Sequence, residues 1–149
     1  MDTNQLTEKL TVFGLTRQEA TVYLALVVSG TQTGYEVSKQ TGISRSNAYN
    51  ALAGLVDKGA AYPEEGAATR YTAVDVSEFC RNKIRALERT KDELTAHMPK
   101  GKTEVEGYLT IAGDEHIKDK IANMLTVAEQ RVYLKAEHAL LRSFLQRLQ

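Results

Sequence analysis

Within residues 14–59 the chain repeats one local signature: a threonine, a glutamate three residues later, and a glycine where the run ends. Thr16 and Glu19 form the first pair, Thr33 and Glu36 the second. In Thr-x-x-Glu the hydroxyl accepts a backbone N–H from the first turn while the carboxylate returns to the cap N–H, so each pair starts a helix. Gly14, Gly30, Gly42 and Gly59 mark the stops, because glycine adopts the left-handed conformation that ends helices at little steric cost. A segment punctuated this often cannot be one long helix. It must be several short helices packed together.

The first helix is expected over 2–12, with Leu6, Leu10 and Phe13 on one side. The second follows Thr16 and carries Ala20, Tyr23, Leu24, Val27 and Val28 at helical spacing. A third, short helix ends near Thr41 and Gly42; a fourth, capped by Ser44, ends at Lys58 and Gly59. Two short helices joined by a tight glycine-containing turn, after a longer one, make a tri-helical helix-turn-helix unit. Beyond Gly59 the pattern becomes extended. Residues 60–63 and 69–73 flank a tip of Glu64, Glu65, Gly66, Ala67 and Ala68, which reads as a small hairpin or wing. Pro63 lacks an N–H and suits only an edge strand. The fold class is therefore mainly α with a small β wing, a winged helix-turn-helix over residues 1–74.

In the fourth helix Ala48, Leu52 and Leu55 face the core, which turns Ser46, Asn50, Ala53 and Asp57 the opposite way. Arg45 and Tyr49 flank one side of that outward face, Asn47 the other. Asn can read adenine with two hydrogen bonds, and Arg can read guanine or hold a phosphate. Arg45, Ser46, Asn47, Tyr49 and Asn50 are thus the candidates for bases and nearby phosphates. Small Ala53 and Gly54 would permit close approach to a duplex. Arg70, beside Thr69 on the returning wing strand, could reach the minor groove or a phosphate, or could pair with Glu64 or Glu65. Lys39 and the N–H groups following Thr33 and Ser44 are candidate phosphate contacts.

Net charge runs against a broad basic surface. The chain has 19 Lys+Arg and 19 Asp+Glu, and residues 1–74 hold 6 basic and 7 acidic side chains. DNA binding must then rest on local charge placement and on avidity.

A long helix is expected over 76–98, capped by Asp75 with Glu78. Val76 and Phe79 should pack on the winged unit. Cys80, Ile84, Leu87, Lys91, Leu94 and Met98 alternate four- and three-residue steps, a short heptad seam. Ile84, Leu87, Leu94 and Met98 are the candidate dimerisation residues; the alternative is packing of the same stripe within one chain. Residues 75–102 form this helix and a Pro99–Lys102 linker. Residues 103–149 read strand over 105–111, helix over 114–129, strand over 131–136 and helix over 138–148, a small α/β unit with parallel pairing. At about 45 residues it is too short for a complete doubly wound domain and is expected to be truncated or completed by a partner chain.

The stretch FGLTRQEATVYLALVVSG, followed by GYEVSKQTGISRSNAYNALAGLVDKG and a wing ending in RYTAV, resembles the TrmB-like family of transcriptional regulators, described as sugar-sensing and found mainly in archaea. The resemblance spans residues 6–74 through Phe13-Gly14-Leu15-Thr16, Glu19-Ala20, Tyr23-Leu24, Gly42-Ile43, Arg45, Tyr49, Leu52, Leu55 and Lys58-Gly59. It implies a winged-helix domain, a dimerisation helix and a C-terminal effector domain, with gene regulation, often of sugar metabolism. Residues 103–149 are similar to the start of that effector domain, through the run GYLTIAGDEHIKDKIANMLTVAEQRVYL.

Enzyme chemistry finds no support. The C-terminal region distantly resembles phospholipase-D-like folds, but their His-x-Lys motif is absent. His97, His116 and His138 are spread over different elements, and one cysteine, Cys80, excludes an internal disulfide and a multi-cysteine zinc site. No phosphate-binding glycine loop or serine elbow occurs. No cofactor or metal is expected. The apolar run at 22–28 is far below a membrane span, and the polar N-terminus lacks a signal core, so a cytoplasmic protein is expected. The expected function is sequence-specific binding of double-stranded DNA by a homodimer, with helix 44–58 in the major groove and a sugar as possible effector. A winged-helix module that binds other proteins is the alternative, and a ligand-sensing α/β domain with the winged part as scaffold is a third.

Overall fold

In the computed structural model the described residues are 1–99, 101, 110–129, 131, 133, 135 and 142. Side-chain caps set the helix starts in the first part of the chain. Asp2 caps α1 (Thr3–Val12), with Gln5 completing a capping box. Thr16 and Glu19 open α2 (Arg17–Ser29), and Thr33 and Glu36 open α3 (Gly34–Thr41), each as a reciprocal capping box. Ser44 caps α4 (Arg45–Asp57) by accepting from the Asn47 N–H. Asp75 caps α5 (Val76–His97) through the Glu78 N–H.

Three strands complete the winged unit. β2 (Ala61–Glu64) and β3 (Arg70–Ala73) form the expected hairpin, and Pro63 lies on its outer strand. A third strand was not expected. β1 (Gln32–Thr33) pairs antiparallel with the free edge of β3, Gln32 opposite Tyr71 and Thr33 opposite Arg70, giving the order β1-β3-β2.

α2 is the central helix, packed against α1, α3 and α4. Its buried face is Glu19, Ala20, Val22, Tyr23, Ala25 and Leu26. This corrects the expected stripe, because Val27 and Val28 are 54% and 81% exposed. The run 22–28 is apolar on every side, so spacing alone could not choose the face. Ala48, Leu52 and Leu55 are fully buried as expected, joined by Ala51. Phe79 docks the start of α5, its ring 6.2 Å from Tyr23 and 6.4 Å from Phe13. Val76, expected beside it, is half exposed. The Tyr23 hydroxyl donates to the Val74 carbonyl at 2.7 Å. Burial, with the charges of Asp75 and Cys80, pushes its pKa up to about 12, so it stays a donor.

The chain divides into two compact units, Met1–Pro99 and Lys100–Gln149. In the second, α6 (Asp114–Val127) presents half-buried Ile117, Ile121 and Leu125 along one face. The strands expected over 105–111 and 131–136 and the helix over 138–148 lie largely outside the described residues. Among the described residues no helix is long and apolar enough to cross a membrane.

One buried charge ties the first unit together. Glu19 Oε2 accepts the Thr16 N–H at 2.6 Å and the Lys58 ammonium at 2.6 Å, and Lys58 also donates to the Gly14 carbonyl at 2.9 Å. Burial pushes the Glu19 carboxyl up, but hydrogen bonds from Lys58 and Thr16 and the Lys58 charge outweigh it and hold it below its ordinary 4.5. Because the folded value lies below the unfolded one, the stabilisation is present above pH 4.5 and is lost as pH falls through the folded value. Glu19→Ala is expected to destabilise the unit by about 2 kcal/mol, lowering Tm by roughly 10 °C. The mutant should also lose part of the wild-type stability decline below pH 4.5. Thermal unfolding at several pH values checks both, and an unchanged Tm refutes the tie.

Candidate nucleic-acid interface

The turn between α3 and α4 is built by three local hydrogen bonds. Gly42 takes the left-handed conformation (φ 73°) and its N–H closes on the Ser38 carbonyl. Ser38 Oγ donates to the Ile43 carbonyl at 2.7 Å, and the Ile43 N–H donates to Thr41 Oγ1 at 3.3 Å. The chain therefore enters α4 in a fixed direction. Burial of Ala48, Ala51, Leu52 and Leu55 then sets the helix rotation, leaving Arg45, Ser46, Asn47, Tyr49, Asn50, Ala53 and Asp57 exposed. Among the described residues the side-chain amides of Asn47 and Asn50 make no hydrogen bond, and Ser46 Oγ meets only Ser44 Oγ, at 3.4 Å. The first turn of α4 carries no acid, so its N-terminal partial positive charge is uncompensated.

The α3 terminus differs. Thr33 Oγ1 accepts the Glu36 N–H at 3.3 Å and donates to Glu36 Oε2 at 2.9 Å. The Thr33 hydroxyl is thus committed to the cap, and a carboxylate sits at that helix end. The Thr33 N–H and hydroxyl, with the charge of Arg70, hold Glu36 below its ordinary range.

Arg70 does not pair with the wing-tip acids. Its Nη2 donates to the Thr31 carbonyl at 2.8 Å, which draws the side chain back across β1. Glu64 instead accepts from the Thr72 hydroxyl at 3.3 Å. Lys39 and Arg45 converge on a residue that sequence reasoning passed over. The Lys39 ammonium lies 5.0 Å, and the Arg45 guanidinium 4.5 Å, from the centroid of the exposed Tyr35 ring. The available signal was the four-residue spacing of Tyr35 and Lys39, which puts them on one helix face.

The charge count of zero conceals this arrangement. In residues 1–74, Arg17 is ion-paired with Glu8 and Lys58 with Glu19. Lys9, Lys39, Arg45 and Arg70 form no ion pair among the described residues, while Asp2, Glu19 and Glu36 serve as caps. Two glycines each make room for a neighbouring side chain. A Cβ on Gly34 would lie 2.5 Å from the Tyr49 ring, so Tyr49 lies across the first turn of α3. A Cβ on Gly54 would collide with the Glu19 carboxylate. Gly54 therefore accommodates Glu19, which corrects its expected part in approach to a duplex.

Along α5 the side chains of Ile84, Leu87, Leu94 and Met98 are 47%, 59%, 54% and 62% exposed. Cys80, at the head of this stripe, packs partly against the core, and burial pushes its thiol pKa up, so it lacks the low pKa of a redox sensor.

A helix-turn-helix closed by a three-stranded sheet, with polar side chains free on the second helix of the motif, is a winged helix-turn-helix fold. Residues 10–77 match the family described as sugar-specific transcriptional regulator TrmB. The chain is 28% identical over 123 residues to the uncharacterized protein YrhO of Bacillus subtilis (strain 168), covering 80% of this chain and 45% of that one. It is 25% identical over 144 residues to the HTH-type sugar sensing transcriptional regulator TrmBL1 of Pyrococcus furiosus, covering 92% and 42%. Among solved structures, TrmBL2, described as an archaeal chromatin protein with a novel mode of DNA binding, superposes with a TM-score of 0.58 at 26% identity, covering 86% of this chain and 58% of that one. The chain thus spans less than half the length of these two curated relatives.

The Gly54 assignment has a sign that can be measured. Alanine in a helix interior normally gains about 1 kcal/mol over glycine, whereas crowding a fixed buried group costs about 1–3 kcal/mol. Gly54→Ala is therefore expected to lower Tm. A higher Tm would mean that the position is spacious and unrelated to Glu19.

Proposed function

We propose that this chain is a sequence-specific regulator of transcription that binds double-stranded DNA as a homodimer, α4 of each protomer entering the major groove. The observation that carries the reading is the set of uncommitted amides, Asn47 and Asn50, on the exposed, acid-free start of α4. Ser46, Asn47 and Asn50 would meet base edges, and Tyr49, laid across the start of α3, would flank them. Lys39, Arg45, Ser44, Thr33 and Arg70 supply the backbone side. Of these, Thr33 offers least, because its hydroxyl and helix end are occupied by Glu36. The wing contributes through Arg70 rather than through its acidic tip.

The dimer reading rests on α5. Ile84 followed by Leu87 suits a two-stranded seam, and the single Lys91 within it would specify register at a cost in stability. In this scheme residues 1–74 bind DNA, 75–102 pair protomers and 103–149 contribute to an effector-like unit. A sugar effector is consistent with the description of TrmBL1 and rests on that likeness alone.

Selection from random duplexes at two salt concentrations, followed by sequencing, tests the reading. An enriched, near-palindromic motif is expected. Asn50→Ala should relax preference at one position, whereas Lys39→Ala should weaken all duplexes alike and reduce the salt slope by about 1. Leu87→Glu should yield a monomer by light scattering and flatten the palindrome requirement. Salt-sensitive binding without enrichment would mean an architectural role. No binding at low salt would favour a protein-interaction module.

A further inference from the structure

Tyr35 is absent from every expectation drawn from the sequence, yet it is the point where two helices deliver their free cations. Lys39 comes from one turn further along α3. Arg45 is the first residue of α4, on the far side of the tight turn. Both charged groups lie within 5.0 Å of the ring centroid. Neither forms an ion pair among the described residues. The acid nearest in sequence, Glu36, is held in the α3 cap by the Thr33 N–H and hydroxyl. Like charges gathered at one exposed place repel, and the ring face offsets this only in part through its quadrupole.

The geometry points to a phosphodiester clamp in which Tyr35 positions Lys39 and Arg45 on one backbone phosphate. This rests on the DNA-binding reading above and divides its labour. A guanidinium stacked on Tyr35 is drawn toward α3, away from the face of α4 that carries Asn47 and Asn50. Arg45 therefore fixes the register of the helix on the duplex, and base discrimination falls to Ser46, Asn47 and Asn50. Phosphate contacts position a protein without carrying sequence information, whereas base-edge contacts specify. Tyr35 is a positioning residue, since it acts through the two cations. The ring face does the work, so its hydroxyl is dispensable.

The test is equilibrium binding of the full chain to its selected duplex and to a random one, across about 50–300 mM salt, for wild type, Tyr35→Phe, Tyr35→Ala, Arg45→Ala and the double variant. Tyr35→Ala should bind about five- to tenfold more weakly, with the slope of log affinity against log salt shallower by about 1. The ratio between selected and random duplex should not change. Tyr35→Phe should retain wild-type affinity and slope. The double variant should lose less relative to Arg45→Ala than Tyr35→Ala loses relative to wild type, because the ring then acts through Lys39 alone. Melting curves establish that the variants are folded; if Tyr35→Ala is not, the Phe variant and the Arg45→Ala slope decide the matter. An unchanged affinity and slope in Tyr35→Ala overturns the clamp. So does a collapse of the selected-to-random ratio in Arg45→Ala, which would make Arg45 a base reader. A wild-type chain that binds no duplex at any salt overturns the regulator reading and the clamp with it.

Discussion

The winged unit is organised around one buried carboxylate. Glu19 closes the cap of α2, receives the ammonium that ends α4, and occupies the space left by Gly54 on α4. A buried charge is tolerated only when its hydrogen bonds and counter-charge are in place. The pair can therefore form in one relative placement of α2 and α4, and other dockings of these apolar helices leave the charge unsatisfied. The placement matters because α4 is the candidate reading helix. Lys58 also holds the Gly14 carbonyl at the α1–α2 turn, so the same contact ties three helices.

The second organising feature is economy of charge. A unit with one more acid than base can still present an attractive face to a polyanion if its acids are spent internally. Asp2, Glu19 and Glu36 are spent on caps, and Glu8 on Arg17. The cations left over include Lys39 and Arg45, gathered at Tyr35, and Arg70, anchored to Thr31. Affinity from so few contacts is modest per protomer, and a second copy joined through α5 would raise it by avidity. The exposed stripe on α5 thus bears on affinity as well as on half-site spacing.

The parts that were legible in the sequence are those governed by short-range rules. Capping boxes relate residues three apart, so Thr16–Glu19 and Thr33–Glu36 could be read directly, as could the rotation of α4 from Ala48, Leu52 and Leu55. The buried face of α2 was not legible, because residues 22–28 offer apolar side chains in every direction. β1 was not legible either: two residues show no alternation, and their pairing is with a strand some 38 positions away. Glu19 and Lys58 stood in the motif that carried the family resemblance, but their pairing spans 39 residues. The Tyr35 cluster and the true role of Gly54 were hidden for the same reason, since both depend on how separate helices are docked.

What remains is whether α4 occupies the groove that its rotation and polar face suit. Guanine N7 lies in the major groove and adenine N3 in the minor groove, so methylation interference on the selected duplex separates the two. Binding should be blocked by N7 methylation in two symmetric clusters centred about one helical turn apart. Interference confined to adenine N3, or no interference from any purine, would contradict the placement of α4 in the major groove.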